Sequence, residues 1–126
     1  MAGIRIDHLH IRSTDAEAAA AFYARAFGAR ETGRQSVPAG VRIVLDLDGL
    51  ALFVESVPEG TPGVPAAPYR GLEHLGLAVD DLDALVSDLT SKRIALEGPP
   101  SSPRPGVRIA FVKAPDGARV EILERK

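Results

Sequence analysis

Short runs of apolar residues recur along the chain at lengths that predict strands, and two longer stretches carry the spacing of a helix. Apolar-rich runs of strand length occupy residues 4–11 and 72–79. A helical apolar stripe follows each run, formed by Ala18, Phe22 and Ala26 in the first case and by Leu82, Leu85, Val86 and Leu89 in the second. The pattern therefore predicts a strand and then a helix, twice.

Cap and turn signals divide both halves of the chain into the same elements. Thr14 with Glu17 is a capping box, and Asp80 is in position to cap the second helix. Asp48-Gly49 and Asp116-Gly117 supply the turn before each last strand. Three further strands are predicted after each helix, at about 30–36, 40–47 and 50–57 in the first half and about 94–97, 106–113 and 118–124 in the second.

The two halves are also related residue by residue, through a shift of 66 positions. His8 then aligns with His74, and Gly40-Val41-Arg42-Ile43 aligns with Gly106-Val107-Arg108-Ile109. Three acidic pairs coincide as well: Asp15 with Asp81, Glu31 with Glu97, and Glu55 with Glu121. We interpret this as an ancestral duplication.

The duplication predicts one α+β domain over residues 1–126, made of two βαβββ modules at about 4–57 and 72–124. A linker rich in Pro and Gly joins them at 58–71. We expect the modules to form a cupped, eight-stranded mixed sheet with the helices on its convex face.

Strand alternation groups four chemically active side chains on the sheet face away from the helices. His8 and His74 lie opposite apolar neighbours that must face the helices, and Glu55 and Glu121 do the same in the last strand of each module. Two imidazoles and two carboxylates suit one divalent ion, either Ni, Zn, Co, Mn or Fe. Taken singly, each of these residues is more simply explained by a structural role, but their repetition favours a metal site. His10 has no histidine counterpart at Gly76, so we expect it to line a pocket.

Composition excludes several classes of function. The net charge is −2 and the chain has four Phe, two Tyr and no Trp, which argues against a nucleic-acid partner. Without cysteine there is no disulfide, thiolate metal site or cysteine nucleophile. No membrane-length apolar run and no apolar core of a secretion signal is visible, so we expect a cytoplasmic protein.

Four segments resemble the vicinal oxygen chelate superfamily, which contains glyoxalase I, bleomycin-resistance proteins, methylmalonyl-CoA epimerase, extradiol dioxygenases and fosfomycin-resistance transferases. They are residues 7–12, 21–28, 73–81 and 114–121. The resemblance implies a metal held by His8, Glu55, His74 and Glu121. The carboxylate at position 55 makes the set most similar to that of glyoxalase I-like proteins.

This resemblance implies a lyase or isomerase that transfers a proton next to a carbonyl of a small, metal-chelated substrate, with Glu121 or Glu55 as the base. Substrate contacts are expected from His10, Phe53, Arg104 and Arg108, with Arg34 as a further candidate anion binder. Glyoxalase I proteins also use an asparagine shortly after the first-module glutamate. The chain contains no asparagine, so glutathione is not implied.

Two other functions remain open at this stage. A ligand-binding protein similar to bleomycin-resistance proteins would use the same residues only to line a groove. An extradiol-type dioxygenase would need only His8, His74 and Glu121. For the assembly we expect a homodimer, because a cupped sheet leaves strand edges that need covering.

Overall fold

A computed structural model describes residues 2–126. The elements, in chain order, are β1 (His8–Ser13), α1 (Ala16–Phe27), β2 (Arg30–Val37), β3 (Gly40–Leu47), β4 (Leu50–Ser56), β5 (Leu75–Ala78), α2 (Leu82–Ser91), β6 (Ser101–Arg104), β7 (Val107–Lys113) and β8 (Arg119–Arg125), with a 3₁₀ turn at Pro115–Gly117. The predicted βαβββ order is confirmed in both halves. Neither helix has the length and apolar character needed to cross a membrane.

The chain divides into two compact units, Met1–Pro62 (unit 1) and Gly63–Lys126 (unit 2), and the division falls inside the predicted linker. Each unit has its own four-stranded sheet, ordered β1-β4-β3-β2 in unit 1 and β5-β8-β7-β6 in unit 2. The eight strands form two mixed sheets of four, one in each unit, and confirm the predicted α+β class built from two βαβββ modules. In each sheet the first strand pairs in parallel with the last, and the other pairs are antiparallel.

Helix α1 packs on the apolar face of the unit 1 sheet. Alternate residues of β3 and β4 on that face are fully buried, and they are Ile43, Leu45, Leu52 and Val54. Small residues of α1 let the helix approach closely: Ala16, Ala19, Ala20 and Ala26 are buried with Tyr23. The opposite sheet face, called the site face below, carries the polar side chains.

Unit 2 repeats this arrangement with a shorter helix. Leu82 and Leu89 of α2 are fully buried, as are Val112, Val120 and Ile122 of the sheet. Glu124 is also buried and accepts a hydrogen bond from the backbone N–H of Leu82, at 3.0 Å. That carboxylate satisfies one of the free N–H groups at the start of the helix.

Several element boundaries differ from the sequence prediction. The first strand of each module starts late, at His8 and Leu75, and the preceding Ile4 and Ile6 are exposed. Residues 94–97 form only a bridge to β7, and β6 begins after the Gly98-Pro99-Pro100 break. The break explains the error, because proline cannot donate a hydrogen bond to a neighbouring strand.

The helix caps lie one residue after the predicted ones. Asp15, not Thr14, accepts the hydrogen bond from the backbone N–H of Ala18. Asp81, not Asp80, caps α2 in the same way. Asp15 and Asp81 are 66 positions apart, so the repeat offset seen in the sequence holds through the first strand and the helix start of each module.

The offset then increases along the module. On the site face, His10 is the β1 neighbour of Phe53, and Gly76 is the β5 neighbour of Glu121. Since His10 and Gly76 correspond at an offset of 66, the last strands correspond at an offset of 68. The two Asp-Gly turns before those strands are also 68 positions apart. By strand register, then, the counterpart of Glu121 is Phe53.

Candidate functional site

His8 opens β1 on the site face of unit 1, and its imidazole is fixed from two sides. Its Nδ1–H donates to the carboxylate of Asp7, with 2.7 Å between Nδ1 and Oδ2. Its ring stacks on Phe53, with ring centroids 4.0 Å apart and an interplanar angle of 7°. With Nδ1 directed at this carboxylate, Nε2 is the ring nitrogen left for another partner.

Glu55 lies further along β4 and is surrounded by basic groups. Its Oε1 is 3.4 Å from Nε2 of His10 and 3.8 Å from Nη1 of Arg42. The Arg42 guanidinium carbon also lies 5.3 Å from the centre of the Phe53 ring. Phe53 therefore has His8 on the β1 side and Arg42 on the β3 side.

In unit 2, His74 is held in a similar way to His8. Its Nδ1–H donates to the carboxylate of Glu73, and its ring meets Phe111 edge-on, with centroids 5.3 Å apart. Its Nε2 is 3.9 Å from Oε2 of Glu121. Gly76, the β5 neighbour of Glu121, leaves space beside that carboxylate, since a Cβ at Gly76 would meet only Glu121 Oε1, at 3.9 Å.

Arg119 supports the His74 arrangement from behind. Its guanidinium lies over the Phe111 ring, 4.1 Å from the centroid, and pairs with Glu73. The same guanidinium makes two hydrogen bonds to Glu97, at 2.9 and 3.1 Å. Glu97, Arg119, Glu73 and His74 thus form one chain of charged contacts that fixes the orientation of the imidazole.

A pocket of about 610 Å³ lies beside Arg119 within unit 2. Its walls come from the segment after the unit boundary and from the ends of β7 and β8, and they are Val64, Pro65, Ala67, Pro68, Tyr69, Glu97, Lys113, Ala114, Gly117, Ala118 and Arg119. The lining combines apolar side chains with the charged residues Glu97, Lys113 and Arg119.

The structure does not support the equivalence of Glu55 and Glu121 on which the four-residue metal set was based. Phe53 occupies the position in β4 that Glu121 occupies in β8, and Glu55 lies two residues further on. The predicted equivalence was wrong because an offset of 66 was carried through to the last strand. Glu55 is on the site face, but its neighbours are His10 and Arg42.

The arginines proposed as substrate contacts have other surroundings. Arg108 lies on the helix face and makes two hydrogen bonds, both 3.0 Å, to Asp83 in the first turn of α2. These bonds lower the pKa of the Asp83 carboxyl and raise that of Arg108. Arg34 is bound by Glu17 and Glu31, and its hydrogen bonds lower the pKa of Glu31. Arg104 is exposed in β6.

The four residues of the predicted metal site are divided equally between the two units. No three His, Cys, Asp or Glu side chains come together as a metal-binding group in the part of the chain that the structure describes. Unit 2 offers His74 and Glu121 as nitrogen and oxygen donors. Unit 1 offers His8, with the Phe53 ring where a second carboxylate was expected. Each unit thus offers one imidazole, and Glu55 and Glu121 occupy different register positions, so the four-residue metal set remains a prediction.

Comparison with known proteins agrees with this fold. Residues 5–122 match the family model of the Glyoxalase/Bleomycin resistance protein/Dioxygenase superfamily. The chain belongs to that superfamily. It is 29% identical to the uncharacterized protein YaeR of Escherichia coli (strain K12), over 99% of this chain and all of that protein.

Two solved structures extend the comparison. A glyoxalase family protein from Enterococcus faecalis superposes with a TM-score of 0.82 at 25% identity, covering 95% of this chain and 97% of the other. TnmS3, an antibiotic binding protein from Streptomyces sp. CB03234, superposes with a TM-score of 0.73 at 25% identity, covering 100% and 99%. The superfamily thus includes binding proteins beside enzymes.

Four residues of the candidate site were not predicted from the sequence: Asp7, Arg42, Glu73 and Arg119. For two of them the signal was present, because an acidic residue directly precedes both His8 and His74. For Arg42 and Arg119 the sequence has no comparable signal, since their surroundings depend on strand register.

Proposed function

We propose that the chain is a metal-dependent lyase or isomerase that transfers a proton next to a carbonyl of a small substrate with two adjacent oxygen atoms. One feature carries the proposal: in both modules the carboxylate of the preceding residue holds Nδ1 of the first-strand histidine. Asp7 does this for His8 and Glu73 for His74. An imidazole held in this way presents the Nε2 lone pair, as metal-ligating histidines do.

The proposed ligands are His8, His74 and Glu121. Two imidazoles and a carboxylate suit Ni, Zn, Co, Mn or Fe in the divalent state, with positions left for substrate oxygens. When bound, such an ion stabilises the negative charge that develops on the substrate oxygens as a proton leaves the neighbouring carbon. Glu55 belonged to the set expected from the sequence, and we omit it because of its place in β4.

Glu121 is the group that we assign as the base. It would accept the proton from the carbon next to the carbonyl and return it to the adjacent carbon, so no other reactant is needed. Its Oε2 lies 3.9 Å from Nε2 of His74, and the Glu121 side chain is 19% exposed. Glu55, the other candidate base, directs its Oε1 toward His10 and Arg42, at 3.4 and 3.8 Å.

Metal analysis tests this proposal most directly. Protein purified without chelator should contain about one divalent ion per site, and Glu121→Gln and His74→Ala should lose both the ion and any lyase or isomerase activity. Arg93→Gln serves as the control, because Arg93 is exposed after α2. A protein that holds no metal, and whose thermal stability does not change with added Ni²⁺, Co²⁺, Zn²⁺ or Mn²⁺, would contradict the proposal.

A non-catalytic binding protein is the second candidate, and the likeness to the antibiotic binding protein TnmS3 over the whole chain favours it. In that case the unit 2 pocket would bind an apolar ligand. Saturable binding of a bleomycin-type glycopeptide that survives chelator and His74→Ala would support this function over catalysis.

The three-ligand set also suits an extradiol-type dioxygenase, because two histidines and one carboxylate are the usual ligands of non-heme Fe(II) oxygenases. Oxygen uptake with catechols that depends on Fe²⁺ alone, and that Glu55→Ala does not reduce, would identify this reaction. Proton transfer without oxygen uptake would exclude it.

The proposal also includes a homodimer and a cytoplasmic location. A dimer would cover the free edges of β1 and β5, which are the outer strands of their sheets. Light scattering at several concentrations tests the first point, and cell fractionation tests the second.

A further inference from the structure

Arg42 of β3 lies on the site face and carries a buried N–H group that the described residues leave without a partner. Its Nε is buried and has no hydrogen-bond partner among the described residues. Its closest carboxylate contact, from Nη1 to Glu55 Oε1, measures 3.8 Å and is too long for a hydrogen bond. A buried guanidinium N–H without a partner is costly and uncommon in folded proteins.

Other strand arginines show what a satisfied guanidinium looks like in this chain. Arg108 grips Asp83 through two N–H groups, and Arg119 grips Glu97 in the same way. Arg34 makes four hydrogen bonds, from all three of its guanidinium nitrogens, to two glutamates. Arg42 has no such contact, although a carboxylate is nearby.

The surroundings of Arg42 hold its guanidinium in place and carry excess positive charge. The Phe53 ring lies 5.3 Å from the guanidinium carbon, beside the His8 ring. On the β1 side of Glu55, the strand register places Arg12 on the same face. Two arginines thus accompany a single glutamate, next to the histidine that we propose as a metal ligand.

We propose that Arg42 binds an anionic oxygen group, a carboxylate or a phosphate, of the molecule that this site takes up. A guanidinium offers such a group parallel N–H donors, and the partnerless Nε–H would be one of them. The identification of that molecule as the substrate rests on the proposed function, but the anion site itself does not. Glu55 competes with the anion for the same guanidinium.

Side-chain NMR of the whole chain tests this directly, using propionate and methylphosphonate as probes and the neutral propionamide as their control. We expect both acids to shift the Arg42 Nε–H resonance saturably, and propionamide to leave it unchanged. Arg42→Gln should weaken acid binding by at least about tenfold, and Arg42→Lys by about threefold or more, because Lys lacks the planar pair of donors. Arg93→Gln, which removes the same charge from an exposed position after α2, should have no effect.

Glu55→Gln provides a test with the opposite sign. Removing the competing carboxylate should tighten propionate binding several-fold, whereas a purely structural Arg42–Glu55 pair would predict no gain and a less stable protein. The inference is overturned if Arg42→Gln, shown to be folded by its melting curve, binds both acids as the parent does. It is equally overturned if Arg93→Gln weakens binding as much.

The titrations are run with and without chelator, which separates this inference from the proposed function. Acid binding through Arg42 that persists in chelator supports the anion site even if no metal is ever found. The reverse result, metal bound at His74 and Glu121 with no role for Arg42, overturns the anion site alone. The acid that binds more tightly identifies the anionic group.

Discussion

Substituting Phe53, Glu55 and Glu121 one at a time tests whether the strand register of each module determines which carboxylate can bind a metal. Phe53 and Glu55 are two residues apart on β4, so their Cα atoms are separated by about 6.6 Å along the strand. A carboxylate oxygen must lie within about 2.2 Å of the ion that it binds. A displacement of this size therefore removes Glu55 from the position that corresponds to Glu121.

The expected affinities follow from this displacement. Glu55→Gln should leave the dissociation constant for Zn²⁺ or Co²⁺ within about twofold, whereas Glu121→Gln should raise it more than about 100-fold, since even the loss of an indirect contact to a ligand costs about 10–100-fold. Phe53→Glu places a carboxylate at the counterpart of Glu121 and should tighten binding about tenfold or more. Phe53→Gln controls for the loss of the ring.

Competition with a chromophoric chelator gives these constants, and the visible absorption of bound Co²⁺ reports how many ligands surround it. Melting curves establish that each variant is folded, which is expected because Phe53 lies on the site face and not among the buried core residues. If Glu55→Gln weakens metal binding as much as Glu121→Gln does, the register argument is refuted and the four-ligand set is restored.

Three further outcomes are expected. Asp7→Asn and Glu73→Gln should each weaken metal binding by about 10–100-fold, because each removes the charge that holds the Nδ1–H of a histidine. The same competition assay measures this, and an unchanged affinity would contradict that role. Leu52→Ala should lower the free energy of unfolding by about 2–5 kcal/mol in urea melts, because Leu52 of β4 is fully buried on the sheet face that α1 covers. The Arg108 hydrogen bonds lower the pKa of Asp83, so their stabilisation is present above the ordinary value of 3.8 and is lost as the pH falls through the folded pKa. Asp83→Asn should therefore be less stable than the parent near pH 6 and approach it at low pH, and a constant difference across this range would contradict the assignment.

The element order of both modules could be predicted from the sequence because it depends on local signals. Apolar spacing and the Asp-Gly turns each depend on residues only a few positions apart, and the duplicated histidines mark the first strand of each half. The start of β6 was missed for a physical reason: residues 94–97 have strand composition, but the Gly98-Pro99-Pro100 break follows at once and leaves only a bridge to β7. Composition alone does not show where pairing can continue.

The pairing of the last strands was beyond a sequence argument based on identity. The repeated sequence Gly-Val-Arg-Ile at positions 40–43 and 106–109 supports an offset of 66. That alignment, however, pairs side chains that lie on opposite faces of their sheets. Arg42 lies on the site face next to Glu55, while Arg108 lies on the helix face and binds Asp83. In a strand, a slip of one residue moves every side chain to the other face. The better signal was the turn pair, 68 positions apart, because a turn determines the register of the strand that follows it.

The slip also gives the two modules different side chains at corresponding positions of the site face. In unit 2, Gly76 leaves space beside Glu121, and the carboxylate lies near the held imidazole of His74. In unit 1 the same two positions carry His10 and Phe53, so an aromatic ring covers the imidazole of His8 and a guanidinium lies close to that ring. Unit 1 retains the histidine and its acidic neighbour, but a ring replaces the carboxylate. It has therefore kept one of the proposed metal donors and gained room for a different contact. That is why metal affinity should depend on unit 2 carboxylate chemistry, while selectivity for an anionic ligand should depend on Arg42 in unit 1.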